Sequence, residues 1–94
     1  MQNIHYSLRV HGHVHGVGYR ASAKAEADRL GLCGFAMNCP DGSVCIEAEG
    51  EQEALDVLVT WCQEGPSAAE VERVDATRGE QKWYESFDIR LTSQ

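Results

Sequence analysis

The sequence predicts an α+β sandwich, with two helices covering one face of an antiparallel or mixed sheet. Three observations carry that expectation. Apolar residues recur at period two near both ends and in the middle of the chain, they recur at helical spacing in two intervening stretches, and an Asp41-Gly42 dipeptide marks a hairpin between the middle strands.

From Ile4 to His11 the residues Ile4, Tyr6, Leu8 and Val10 alternate with His5, Ser7, Arg9 and His11, the pattern of a strand with one buried face. The glycine-rich stretch that follows reads as a loop. Beyond it, "ASAKAEADRLGL" places Ala23, Ala27 and Leu30 at helical spacing, and Gly31 suits the left-handed position that ends a helix. "CGFAMNCPDGSVCIEAEG" then carries Cys33, Phe35, Met37 and Cys39 before the turn and Val44, Ile46 and Ala48 after it. With Asp41 and Gly42 as the two loop residues, those apolar sets share one face, and Asn38 lies on the other, near Cys45.

In "EQEALDVLVTWCQEGP", Ala54, Leu55, Leu58, Val59 and Cys62 share a helical face, acids occupy the first turn, and Gly65-Pro66 is the stop. Two further strands are expected around Ala69 to Thr77 and Ser86 to Leu91, with "RGEQKWYE" between them as an exposed loop. Through the strand around Ala69 to Thr77, the order strand, helix, strand, strand, helix, strand is the split βαβ, or ferredoxin-like, arrangement. With no repeat, linker or low-complexity tract, residues 1–94 read as one domain.

Composition narrows the function. Lys plus Arg is 8 against 15 Asp plus Glu, a formal charge of −7, the opposite of the footprint that binding a nucleic-acid backbone requires. An anionic ligand must be drawn in by local donors, which makes His13, His15, Arg20 and Lys24 informative. No run approaches the roughly 20 apolar residues of a membrane span. "MQNIHYSLRV" lacks a charged segment followed by an apolar core, so a cytoplasmic protein is expected. The four cysteines, Cys33, Cys39, Cys45 and Cys62, include no CxxC pair and are expected to be free, buried or half-buried thiols.

The stretch "RVHGHVHGVGYR", Arg9 to Arg20, poses the chemical question. His11, His13 and His15 would share a side if the strand ran through them, as a set of metal ligands does, but Gly12 and Gly16 argue against that continuation and no Asp, Glu or paired Cys stands at ligand spacing. The other reading is an anion cradle. Gly16 and Gly18 allow successive N–H groups to turn inward where a helix N-terminus adds its partial positive charge, and Arg20 offers a two-toothed guanidinium to phosphate oxygens. A plain glycine-rich turn with a solvated arginine accounts for the same residues. Asn38, taken alone, is a strand-end residue tying down its hairpin.

"GHVHGVGYR" resembles the acylphosphatase signature, usually Gly-Arg-Val-Gln-Gly-Val-Gly-Phe/Tyr-Arg. "GLCGFAMNCPDGSV" resembles the second signature of that family, and "EGPSAAEVERV" and "FDIR" are similar to its later segments. The resemblance implies a ferredoxin-like fold and hydrolysis of acyl phosphates to carboxylate and inorganic phosphate, with no metal or cofactor. It further implies a phosphate cradle from the backbone of His15, Gly16, Val17, Gly18, Tyr19 and Arg20, catalysis by Arg20 and Asn38, and Asn38 as the residue that orients the attacking water. This sequence departs from the pattern at His13 and His15, where arginine and glutamine are common. A monomer is expected, without nucleic acid or membrane as partner. The alternatives are a non-catalytic anion-binding or regulatory module of the same fold and a histidine-based metal carrier.

Overall fold

The alternation that begins at Ile4 forms β1 (Ile4–His13), an inner strand of a five-stranded sheet. In chain order there follow α1 (Tyr19–Leu30), β2 (Cys33–Asn38), β3 (Val44–Gly50), α2 (Gln52–Cys62), β4 (Glu70–Gly79) and β5 (Phe87–Arg90). This computed structural model describes residues 3–91; Met1 and Gln2, part of the stretch read for a leader, and residues 92–94 lie outside the described residues. The strands lie in the order β4-β1-β3-β2-β5. All neighbours are antiparallel except β2 and β5, so the sheet is mixed and the expected split βαβ arrangement gains a parallel edge strand.

Both helices pack on one face, because each offers small or branched apolar residues to it. Ala23 and Ala27 of α1 and Leu55, Leu58 and Cys62 of α2 are fully buried against Leu8, Val10, Ala36, Val44, Ile46 and Ala48 of the sheet. Gly31 closes α1 in the left-handed conformation at φ 73°, its N–H returning to the carbonyls at the end of the helix. Among the described residues no helix is long and apolar enough to cross a membrane.

Two local readings are corrected. The first strand does not stop at His11. It continues through Gly12 to His13 and pairs Gly12 with Val71 and His13 with Glu70 after a register shift. Gly12, at φ 132°, lets β4 approach so closely that a Cβ there would meet Glu70 O at 2.2 Å. The glycine therefore extends the pairing rather than ending it.

The second correction concerns the hairpin, whose loop is Pro40, Asp41 and Gly42, closed by Cys39 N–H donating to Ser43 O at 2.9 Å. Gly42 N–H returns to Cys39 O at 3.0 Å, and Asp41 Oδ1 accepts the Ser43 N–H at 2.9 Å and the Ser43 hydroxyl at 2.5 Å. Proline fits the second position of such a turn and Gly42, at φ 93°, the residue after it, which makes a three-residue loop the better solution for Pro-Asp-Gly. The register moves by one residue, so Asn38 opposes Val44 rather than lying near Cys45. Every side chain of β2 thereby exchanges faces. Ala36 and Asn38 join Ile46 and Val44 on the helix side, whereas Phe35 and Met37 lie on the far side, where the Arg90 guanidinium stands 3.8 Å above the Phe35 ring.

That far face also holds a polar cluster the sequence did not announce. His5 and Glu49 are both buried, with His5 Nδ1 2.7 Å from Glu49 Oε2 and Nε2 against Glu47. Glu49 also accepts the backbone N–H groups of Lys82 and Tyr84. The stretch Arg78 to Glu85, expected as an exposed loop, is thus pinned from beneath, although Trp83 is exposed, and Arg78 and Gly79 complete β4.

Burial alone would raise the Glu49 carboxyl, but the Lys82 N–H, His5 and the Tyr84 N–H outweigh it and hold the group below the usual carboxylate range. A depressed folded-state value gives stability that is present above the unfolded carboxylate range and is lost as pH falls through the folded value. Glu49→Gln is accordingly expected to cost about 1–3 kcal/mol near neutral pH. Urea titrations should show the gap between the two proteins closing under acid, below about pH 4; a gap that widens under acid would contradict the assignment.

Candidate active site

The loop between β1 and α1 and the last residue of β2 meet at one cleft. Val14, Gly16, Gly18, Tyr19, Arg20, Ala21, Asn38 and Ile89 line it, around a volume of about 170 Å³. Gly16 and Gly18 take the left-handed conformation at φ 72° and 77°, and Gly18 is the N-cap of α1 without a side-chain cap. The helical ladder opens with Ser22 N–H donating to Gly18 O at 3.0 Å, so the amides of Tyr19, Arg20 and Ala21 precede the first helical bond and sit at the positive end of the helix. A residue with a Cβ would be strained at either glycine.

Tyr19 fixes where the helix starts. Its ring is buried beside Trp61, at 5.3 Å between centroids, and its hydroxyl donates to Cys62 O at 2.7 Å, which ties the start of α1 to the end of α2. Burial pushes both the Tyr19 phenol and the Cys62 thiol up, the thiol to about 12, so both are protonated at neutral pH. Tyr19 is thus an anchoring aromatic beside the loop, and Trp61 stands at the edge of the core.

Arg20 follows on the cleft side. Its Nη1 donates to Arg90 O at 2.8 Å, a bond from the first turn of α1 to β5 that aims the guanidinium while leaving it further N–H donors. Lys24 Nζ reaches the same strand at Phe87 O, 2.7 Å away, and Asp28 at 3.0 Å. Of the four basic side chains considered together, only Arg20 lines the cleft: Lys24 is turned to β5, His13 is exposed, and His15 Nε2 lies 2.8 Å from Ser43 O.

Asn38 reaches this cleft because of the corrected register. On the expected register it would have faced away from α1; opposite Val44 it stands on the helix side, across the cleft from Arg20. Among the described residues its amide makes no side-chain hydrogen bond to protein, and the hairpin is tied instead by Asp41, whose carboxyl the Ser43 hydroxyl and N–H hold below the usual range. The hairpin-tying role expected of Asn38 thus belongs to Asp41.

Of the six residues read as a cradle, Gly16, Gly18, Tyr19 and Arg20 line the cleft, whereas Val17 packs on the core and the His15 ring points to the hairpin. The three loop histidines diverge. His11 Nε2 is 3.2 Å from Asp75 Oδ2 without hydrogen-bond geometry, and no three His, Cys, Asp or Glu side chains among the described residues are grouped to hold a metal ion. All four cysteines are free thiols. Sequence reasoning missed Ile89 at the cleft and the Arg90 carbonyl that accepts from Arg20; alternation marked β5 as a strand but carried no sign of its parallel partner.

Comparison with known proteins identifies a family. The family model described as Acylphosphatase matches residues 6–89. The chain is 44% identical to an acylphosphatase of Synechococcus over 90% of this chain and 73% of the relative, and 45% identical to that of Thiobacillus denitrificans over 96% and 98%. The crystal structure of the Bacillus subtilis acylphosphatase superposes with a TM-score of 0.90 at 33% identity, covering 93% of this chain and 98% of that one.

Proposed function

The chain belongs to the acylphosphatase family and is a hydrolase of acyl phosphates, and from that premise we propose how its own cleft performs the reaction. The observation that carries the reading is that Arg20 and Asn38 face one cleft whose floor is the backbone of the left-handed Gly16–Gly18 loop and the first turn of α1. The phosphoryl group sits over those amides, with the Arg20 fork on two of its oxygens. Asn38 both accepts a hydrogen from and donates one to a water held in line with the leaving oxygen, and does so without changing charge with pH.

The leaving group explains why no nucleophilic side chain is needed. Water attacks phosphorus, the bond to the acyl oxygen breaks, the carboxylate leaves with the bonding electron pair, and the water's proton passes to solvent or to the phosphate formed. A carboxylate is stable enough to depart unassisted, so catalysis consists of holding the phosphoryl group, stabilising its equatorial charge and placing the water. We read residues 1–94 as one domain that works as a cytoplasmic monomer on a small-molecule substrate.

Inorganic phosphate or sulfate is expected to compete with an aryl acyl phosphate, raising KM without changing kcat. Purely noncompetitive inhibition would sink the cradle. Activity is further expected to survive exhaustive chelation, and His11→Ala and His13→Ala are each expected to keep turnover within about threefold of wild type, because backbone amides and Arg20 rather than imidazoles hold the anion. Loss of activity on chelation, restored by one equivalent of zinc or copper, would return the histidines to a metal role.

A further inference from the structure

The two halves of the cleft come from chain segments that do not share a backbone ladder. The cradle belongs to the loop after β1, and Asn38 to the end of β2, beside the three-residue turn. Their separation has to be held to a fraction of an ångström if a water placed by one is to meet a phosphorus held by the other.

One side chain spans the gap. The His15 ring is half-buried, and its Nε2 lies 2.8 Å from Ser43 O. A carbonyl only accepts, so Nε2 carries hydrogen, as it does in one neutral tautomer and in imidazolium. The same Ser43 oxygen accepts the N–H of Cys39, the residue bonded to Asn38, at 2.9 Å. Ser43 itself is buried and held by Asp41 through both its N–H and its hydroxyl. The oxygen's two acceptor directions thus serve the cradle loop and the strand end that carries Asn38. Among the described residues this is the sole side-chain hydrogen bond between the loop 14–18 and the turn 38–43.

On the roles proposed above for the cradle and for Asn38, we propose that His15 is a positioning residue for the hydrolysis: its Nε2–H, through Ser43 O, sets the distance between the bound phosphoryl group and the water on Asn38. Its ring neither touches substrate nor exchanges a proton. Glutamine in its place preserves the function, since its Nε2–H lies about as far from the backbone as that of the imidazole. Asparagine, equally polar but one methylene shorter, falls short of Ser43.

The test compares His15→Gln, His15→Asn and His15→Ala with wild type by kcat and KM on an aryl acyl phosphate, by the inhibition constant of inorganic phosphate, and by the pH profile of kcat. His15→Asn and His15→Ala are expected to lose about three- to tenfold in kcat, the scale of one net hydrogen bond, while phosphate still binds within about twofold of wild type. His15→Gln is expected to recover kcat to within about twofold and to share the wild-type pH profile. In an Asn38→Ala background, where no water is placed, His15→Ala should cost less than twofold more.

Equal kcat in all four proteins would overturn the proposal, as would a fall in kcat matched by an equal weakening of phosphate binding. A His15→Gln enzyme that folds yet has lost a limb of the pH profile would make the imidazole a proton carrier instead. Should His15→Ala fold poorly, the contrast between glutamine and asparagine decides the question alone. Failure of phosphate to compete in the wild type would instead overturn the cradle, whatever His15 does.

Discussion

Arg20→Ala is expected to reduce kcat/KM by on the order of 10³-fold or more, the largest effect of any single substitution in this protein. Among the described residues the guanidinium is the only cationic side chain lining the cleft, in a chain of formal charge −7, so its loss leaves a dianionic group with backbone dipoles alone. Arg20→Lys separates charge from shape. It keeps the positive charge but not the planar fork, and an ammonium that stays on Arg90 O has fewer hydrogens to offer substrate, so KM should rise and kcat fall together. Steady-state kinetics and phosphate inhibition on the two folded variants check this; an Arg20→Lys enzyme with wild-type kcat and KM would reduce the fork to a point charge.

Asn38→Ala should fail in another way. The cradle and its charge remain, so phosphate is expected to bind within a few-fold of wild type while kcat falls by on the order of 10²-fold or more, as when a reacting water is misplaced. Because the Asn38 amide makes no side-chain hydrogen bond to protein among the described residues, and the turn is held by Asp41, the variant should unfold within about 0.5 kcal/mol of wild type. Near-normal kcat in a folded Asn38→Ala protein would remove the water-orienting role. A large loss of stability would restore the hairpin role that Asp41 fills.

The contrast between those two residues shows what was legible. Arg20 could be placed from sequence because it lies within one turn of the glycine loop, where local conformation decides its surroundings. Asn38 was found only through the family resemblance, and its face was read wrongly from the residues, because a hairpin register hangs on a single residue of loop length. Pro40 was the overlooked signal: it favours the second position of a turn that starts at Cys39, which moves Gly42 to the position after the turn. The strands and helices themselves followed from periodicity, as Ala23, Ala27, Leu55 and Leu58 illustrate. His5 and Glu49 did not, since a buried hydrogen-bonded pair across two strands looks like surface alternation until the pairing of His5 with Glu49 in β1 and β3 is known. Likewise nothing local foretold that β5 would run parallel to β2 and bring Ile89 to the cleft.

That last pairing has a kinetic meaning. The first strand lies inside the sheet and the final strand at its rim, beside β2, where its carbonyls receive Arg20 and Lys24 from the first helix. More than sixty residues of chain separate each donor from its acceptor, a loop whose closure entropy is met late and whose contacts form slowly. On a ribosome the glycine loop, Asn38 and most of the core emerge before the segment that accepts the Arg20 guanidinium. On the role proposed for Arg20, the nascent chain is expected to hold most of its fold and still be idle until β5 has docked beside β2.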